Sequence, residues 1–474
     1  MESMILSIKY LKQQPRWDFR YFDPKYIEIE KLLHKGKYPL EPLDKFTRQI
    51  HNFGAYSLCN LLKWVEDEES ILYLKINNLK EDGIDWSDIL RITPEVHEQL
   101  PKSKVYPGDI LYSMAGTIGL AVIAPKSLGE CNSNQAIAKI RIKPNTLNSE
   151  YVVAFFNSRI GRHQSERIAN GQTVLNINLG EIGKLLIPVP PRSIQDKIAQ
   201  VMKDAYSDRQ KKLERSESLL SEINQYIPEI LGIKVDSSKD KRSFVVNSSL
   251  LSSAKRWDFD YFEPKYQDII NQIADSKWDV KHLSEIISVL TDGQHGYLKH
   301  LPDGIPLLRT TNIFENEIRL DNVRYIAPEV HAKLERSQLK QGDVLLTTIG
   351  SIGIAAVVND SIGEANINQN LVKLTVKDNV NPYYLASFLN SSIGRMQTER
   401  TASKSVVPII SYPRLRKILI PVPPKSIQDN IEKYMRDNLL EVKKMRSEAE
   451  AVVTAAKARV ERMILGEEET NHNR

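Results

Sequence analysis

The chain has 474 residues, 41% of them hydrophobic and 26% charged, with a formal net charge of +5 and an isoelectric point near 8.8. Such a length predicts about three domains, and the apolar content predicts folded cores rather than a disordered chain. The mild basicity suits a nucleic-acid partner without requiring one. Its two cysteines, Cys59 and Cys131, have no neighbour at metal-ligand spacing, so a disulfide framework or cysteine–zinc site is not expected and a reducing cytoplasm is.

In chain order, Met1–Lys12 is short and charged and carries no signal-peptide pattern. No stretch approaches the roughly 20 apolar residues of a membrane span. A first head, residues 1–191, opens on Arg16-Trp17-Asp18-Phe19-Arg20-Tyr21-Phe22-Asp23-Pro24-Lys25-Tyr26. The runs Asp109–Tyr112, Leu120–Ile123 and Ile137–Ile142 are β-branched and bounded by turn residues, as in strands. Gly108-Asp109 reads as a turn, with glycine supplying positive φ and the aspartate side chain closing it. Gly116-Thr117-Ile118-Gly119 lacks the Lys-Ser/Thr ending of a phosphate loop and also reads as a turn.

After Ile187-Pro188-Val189-Pro190-Pro191 the pattern changes to a helix, residues 192–233, with Ser193 as cap and Asp196 favouring its N-terminal dipole. Ile194, Ile198, Val201, Ala205, Leu213, Leu220, Ile223, Ile227 and Ile230 form a narrow coiled-coil stripe with a polar gap at Asp208 and Arg209. A second head, residues 234–424, repeats the first. Residues 256–266 differ from 16–26 only at Asp260 and Glu263. Gly342-Asp343, Gly350-Ser351-Ile352-Gly353 and Asn368-Gln369 return in order, with strands expected at Asp343–Thr347, Ile354–Val358 and Leu371–Val376. Ile420-Pro421-Val422-Pro423-Pro424 then leads into a second helix, residues 425–466, with Ser426 and Asp429 at its start and a stripe from Ile427 to Met463. Residues 467–474 read as a disordered tail.

The offset, roughly 235 residues, is far longer than the 20–50 of a solenoid repeat and means a duplicated domain-plus-helix. Each helix is about 55 Å long, and its stripe needs a partner; the simplest is the other helix, paired antiparallel. Residues 46–90 and 288–325 share length and pattern but little sequence. The shared parts therefore read as scaffold and the unshared parts as recognition elements. The aromatic block, nearly invariant between copies, is expected to clamp each head to the root of a helix.

This order, the two Ile-Pro-Val-Pro-Pro exits and the second-head stretch Thr291-Asp292-Gly293-Gln294-His295-Gly296, Gly304–Arg309, Asn312-Ile313 and Gly342–Thr347 resemble the specificity subunit of type I restriction–modification enzymes. The first head departs from the pattern, having His51-Asn52-Phe53-Gly54-Ala55 where the second has Asp292–Gly296. The resemblance implies an α+β fold: two similar target-recognition domains separated by two long helices that form an antiparallel coiled coil. It implies as partners double-stranded DNA, two methyltransferase subunits and restriction subunits, and no membrane. It implies no catalysis and no cofactor in this chain, with S-adenosylmethionine, ATP and Mg on the partner subunits.

Sequence is read at base edges by Arg, Lys, Asn, Gln and Ser/Thr, while phosphate contacts position. The divergent segments offer Arg48, Gln49, His51, Asn52, Lys75, Asn77, Asn78 and Lys80 in head one, and Gln294, His295, Tyr297, Lys299, His300, Arg309, Thr310, Thr311 and Asn312 in head two. An enzyme reading finds little support. Asp23-Pro24-Lys25-Tyr26 resembles an amino-methyltransferase motif but has Lys25 for its second proline, and Pro302-Asp303 begins a nuclease-like motif that no Glu-x-Lys completes. Two alternatives stay open: a specificity subunit serving a fused methyltransferase–nuclease, and a protein scaffold that ignores DNA.

Overall fold

The computed structural model describes residues 16–468 apart from 17, 55, 68, 172–174, 235–242, 255–257, 297 and 404–406. Contacts divide the chain into two compact units, residues 1–213 with 447–474 and residues 214–446. Both cuts fall inside long helices rather than at their ends, so each unit holds one head and a part of each helix.

In the first unit, helix α1 (Pro24–Lys35) is followed by β1 (Leu40–Pro42), β2 (Thr47–His51), β3 (Ile71–Leu74), a hairpin β4 (Leu79–Lys80) and β5 (Gly83–Ile84), and β6 (Leu90–Ile92). Then come β7 (Ile110–Ser113), β8 (Ala121–Ile123), β9 (Cys131–Ser133), β10 (Ile137–Ile142), helices α2 (Ser149–Asn157) and α3 (Arg159–Ile168), β11 (Leu186–Pro188) and the long helix α4 (Arg192–Leu231). A four-stranded antiparallel sheet runs β2-β10-β7-β8, and a three-stranded sheet runs β6-β3-β9 with β3 and β9 parallel. The three strands expected here appear within a residue of their predicted ends.

The second unit repeats the plan. Helix α5 (Pro264–Ala274) precedes β12 (Asp279–His282), β13 (Ile287–Asp292), β14 (Ile305–Leu308), the hairpin β15 (Ile313–Phe314) and β16 (Glu317–Ile318), and β17 (Arg324–Ile326). Strands β18 (Val344–Thr347), β19 (Ala355–Val357), β20 (Asn366–Ile367) and β21 (Leu371–Val376), helices α6 (Pro382–Asn390) and α7 (Ser392–Thr401), β22 (Leu419–Val422) and the long helix α8 (Lys425–Leu465) complete it. The sheet orders are β13-β21-β18-β19 and β17-β14-β20.

Both Gly-Asp turns form as expected. Gly108 and Gly342 have φ of 86°, and the aspartates close the loop by accepting from Tyr106 N at 3.0 Å and Lys340 N at 2.8 Å. Polar scaffold recurs too. His97 meets Asn132, which donates to Ser103, and His331, Asn366 and Ser337 repeat the arrangement 234 residues later.

The helical stripes find their partners inside each unit. In the first, Ile198 and Met202 of α4 share a core with Val460, Met463 and Ile464 of α8. In the second, Ile223 and Ile227 share one with Ile431 and Met435, and Tyr226 stacks on Tyr434 at 3.7 Å. Within the first unit the pairing is antiparallel, since Arg209 meets Glu450 at 3.2 Å and Lys212 meets Glu448 at 3.0 Å. These ion pairs occupy the polar gap read at Asp208 and Arg209, so charge bridges the seam there instead of apolar packing.

The helix starts correct one expectation. Ser193 and Ser426 lie inside the first turn, because α4 begins at Arg192 and α8 at Lys425. What fixes the start is the glutamine of the repeated Ser-Ile-Gln-Asp. Gln195 accepts from Asn148 N at 2.8 Å and donates to Pro190 O at 2.9 Å. Gln428 does the same with Asn381 N at 2.8 Å and Pro423 O at 2.8 Å. Asp196 and Asp429 accept from the Asn148 and Asn381 side chains. Each long helix is thereby pinned to the N-cap residue of its own head's α2 or α6. Gln428 is 1% exposed, so Gln428→Ala strands two buried backbone groups. It should lower the unfolding free energy by about 2–3 kcal/mol, measured by urea melts against an exposed Lys425→Ala control.

The described part of the aromatic block is tied to its own head. Trp17 and Trp257 lie outside the described residues. Tyr21 and Tyr261 pack on their own head's helix: Arg167 donates to Tyr21 O and covers its ring, and Arg400 does so for Tyr261. The helix that each block begins shares a core with both long helices: Ile29 and Leu33 of α1 with Ile198 of α4 and Met463 of α8, and Ile269 and Ile273 of α5 with Ile227 of α4 and Ile431 of α8. Lys37 N, just after α1, donates to Leu465 O, and Ile269 and Ile273 of α5 pack in one core with Leu231. Of the tail, Glu468 pairs with Arg459 and Arg462, while 469–474 lie outside the described residues. No helix among the described residues is long and apolar enough to cross a membrane.

Candidate nucleic-acid interface

The divergent segments split into two parts with different tasks. One is the short hairpin, which braces the head. Glu81, at the β4–β5 tip, pairs with Arg162 of α3 at 3.1 Å and with Lys457 of α8, and Asp82 pairs with Arg209 of α4 at 2.5 Å. In the second unit Glu315 pairs with Arg395 at 2.7 Å and Glu317 with Lys443 of α8 at 3.0 Å. Sequence reasoning passed over these carboxylates because it sought donors for base edges.

Asn78 and Asn312 belong to this bracing part, not to recognition. Asn78 is 2% exposed; its side chain accepts from Lys75 N and donates to Asp85 O and Asp88 O. Asn312 is fully buried, accepts from Arg309 N and donates to Arg319 O and Asp321 O. Both N–H groups and the oxygen of each buried amide serve the fold, which corrects their assignment as base readers. Their identity in both copies was the signal available.

The other part is the set of strand ends and loops. In head one, Arg48 and Gln49 are exposed on β2, with Gln49 accepting from Arg141 at 3.3 Å. His51 faces Lys139 across the β2–β10 ladder. Burial, with the Lys139 and Arg141 charges adding to it, pushes its ring down to about 4, so it is neutral at physiological pH. Asn52 bonds Gln135 O and Gly54 N and lines a cleft of 330 Å³ together with Met114, Asn170, Asn176 and Asn178. Lys75 and Lys80 are held by Asp88 at 3.3 Å and Asp85 at 3.8 Å, and Asn77 is exposed. Of the eight residues, Asn52 alone lines that cleft.

Head two is more convergent. Gln294, His300 and Arg309 line one cleft of 220 Å³ with Arg324 and Gln369, neither of which the sequence reading selected. His295 is exposed and held by Asp292 at 2.7 Å, which also pairs with Arg336 at 3.0 Å. Lys299 and Thr311 are exposed and Thr310 half-buried. Tyr297 lies outside the described residues. Gly293 lets the chain pass against β20, where a Cβ would lie 1.8 Å from Ile367 O.

Two copies of one α+β fold, alike in scaffold and unlike at corresponding loops, define a duplicated recognition protein. A family model described as the type I restriction modification DNA specificity domain matches residues 65–220 and 275–449. The chain belongs to that family and is a DNA sequence-specificity subunit of the type I restriction–modification kind. It is 23% identical to the EcoBI specificity subunit of Escherichia coli over 348 residues, 70% of this chain and 67% of that one. It is 20% identical to the EcoKI specificity subunit of Escherichia coli strain K12 over 375 residues, 76% and 74% of the two chains. A structure solved in work on complex assembly and conformational transition of a type I R-M system shares the fold at a TM-score of 0.54. That match has 15% identity and covers 90% of this chain and 96% of that one.

Proposed function

We propose that each head reads one half of a split DNA target and that the paired helices dock two methyltransferase subunits, which restriction subunits join. The chain itself performs no chemistry. S-adenosylmethionine, ATP and Mg belong to the partners, and the assembly works in the cytoplasm. The observation that carries this reading is the contrast within each divergent segment. Bracing residues Asn78 and Glu81 recur 234 residues on as Asn312 and Glu315, whereas the loop residues do not recur. A scaffold indifferent to DNA has no use for two loop sets on one frame.

Exchange of residues 294–304 for the loop of an unrelated specificity domain tests it. That span leaves β14, Asn312 and the hairpin untouched. In the assembled complex, mapping of methylated sites should show one half of the target altered and the other half and the intervening spacer unchanged. A change in both halves would refute the one-head, one-half-site assignment.

A further inference from the structure

The two heads differ in electrostatics at one equivalent position. Lys75 and Arg309 occupy the same place, since the amide of each is capped by the asparagine three residues on, Asn78 and Asn312. In head one, Asp88 neutralises Lys75 at 3.3 Å. In head two, no carboxylate among the described residues pairs with Arg309 or with Arg324, which lines the same cleft. One Arg309 nitrogen donates to Asn322 O at 3.0 Å, and its Nε is buried without a hydrogen-bond partner. Burial and the neighbouring Arg324 charge depress the guanidinium below its ordinary value. Two like charges held together in a cleft cost free energy unless an acceptor of matching shape arrives.

We propose that Arg309, supported by Arg324, reads a guanine in the half-site of the second head. A guanine edge in the major groove presents O6 and N7, two acceptors in one plane, and an arginine fork matches them in a bidentate pair. A backbone phosphate is the competing ligand, and two features speak against it. Leu298 and Leu307 form apolar walls of the cleft, and Gln294 and Gln369 bring amides that can bond a neighbouring base edge. A phosphate clamp carries no sequence information and should recur in both heads, whereas this cluster occurs in one. The proposal rests on the half-site reading above and adds which base and which residue.

The test uses the complex reconstituted with its natural methyltransferase subunits, and maps methylation on a random-sequence DNA library in parallel with the salt dependence of binding. The wild-type complex is mapped first. Arg309→Ala and the more exposed Arg324→Ala follow, with Lys75→Ala as the head-one control. At one position that is guanine in the wild-type target, Arg309→Ala should lose roughly 10- to 100-fold of its preference, and Arg324→Ala less. The other half-site and the salt slope should stay as they were; the intact half-site also reports that the variant is folded. Uniform weakening over all sequences with a shallower salt slope would assign the site to a phosphate and overturn the proposal. So would an unchanged motif, or a wild-type split target with no guanine on either strand of either half. A wild-type complex with no split target would instead end the half-site reading itself.

Discussion

Alanine at Gly293 should cost the second head about 3 kcal/mol or more of stability and displace the loop that follows. The reason is space. A Cβ there would sit 1.8 Å from Ile367 O and 2.3 Å from Ile367 C, which are backbone atoms of β20 and cannot rotate away. Either β13 or β20 must shift, and β20 is paired with β14 through Leu307 and Leu308, so the disturbance reaches both sheets of the head. Gly296, three residues on, is the control. It has φ of 88° but open space around its missing side chain, so Gly296→Ala should cost only about 1–2 kcal/mol, through backbone conformation. Thermal unfolding of the two variants measures the difference, and equal losses would show that the close approach to Ile367 does not exist.

Methionine at Lys139 should stabilise the protein at neutral pH and flatten its stability profile between about pH 7 and 10. Lys139 is fully buried in β10, the second strand of its four-stranded sheet. Its ammonium donates to Ser133 Oγ at 3.1 Å and has no carboxylate ion pair among the described residues. Burial pushes its pKa down to about 7, a shift that Asp109 opposes and Arg141 reinforces. The unfolded chain titrates this lysine near 10.4. Between the two values the unfolded state holds a proton that the folded state lacks, so stability rises with pH, by at most about 1.4 kcal/mol per unit. Below pH 7 both states are protonated, the slope vanishes and the full penalty of the buried charge remains. An unbranched apolar side chain of similar length removes the penalty, with an expected gain of about 1–3 kcal/mol at pH 7. Urea unfolding at pH 7 and pH 9 checks this; a variant no more stable than wild type at pH 7 would mean that water reaches the ammonium. Lys373 recurs at the matching place in head two with its pKa also lowered, but its ammonium donates to Gln338 O at 2.7 Å and it is 8% exposed. The same change there should gain less.

Much of the fold was legible because the chain is its own comparison. Strands at 110–113, 121–123 and 137–142, the Gly-Asp turns and both helical stripes follow from period and turn chemistry, and each was read twice. The site was legible only in part. Amide and cationic residues in a variable segment look alike whether they hold a hairpin together or face a ligand; for Asn78 and Asn312 the recurrence in both copies hints at the first role, and their backbone partners establish it. Arg324 lies in the divergent segment but was passed over, because its approach to Arg309 depends on β17 pairing with β14 through Leu307. The acidic hairpin tips were missed for a related reason: Glu81 and Lys457 are far apart in the chain and only folding makes them neighbours.

The glutamine pins at the two helix starts bear on how such genes can be cut and rejoined. Each head grips the opening turns of the helix that follows it, and the compact units part at 213/214 and 446/447. A crossover placed at the proline exits would therefore draw Asn148 and Gln195, or Asn381 and Gln428, from different parents, and the pin would re-form only where both supply their half. A cassette spliced in mid-helix carries those bonds along intact. Shuffling of specificities should accordingly favour exchange points within the helices, where little but a short stretch of seam has to agree between the two parents.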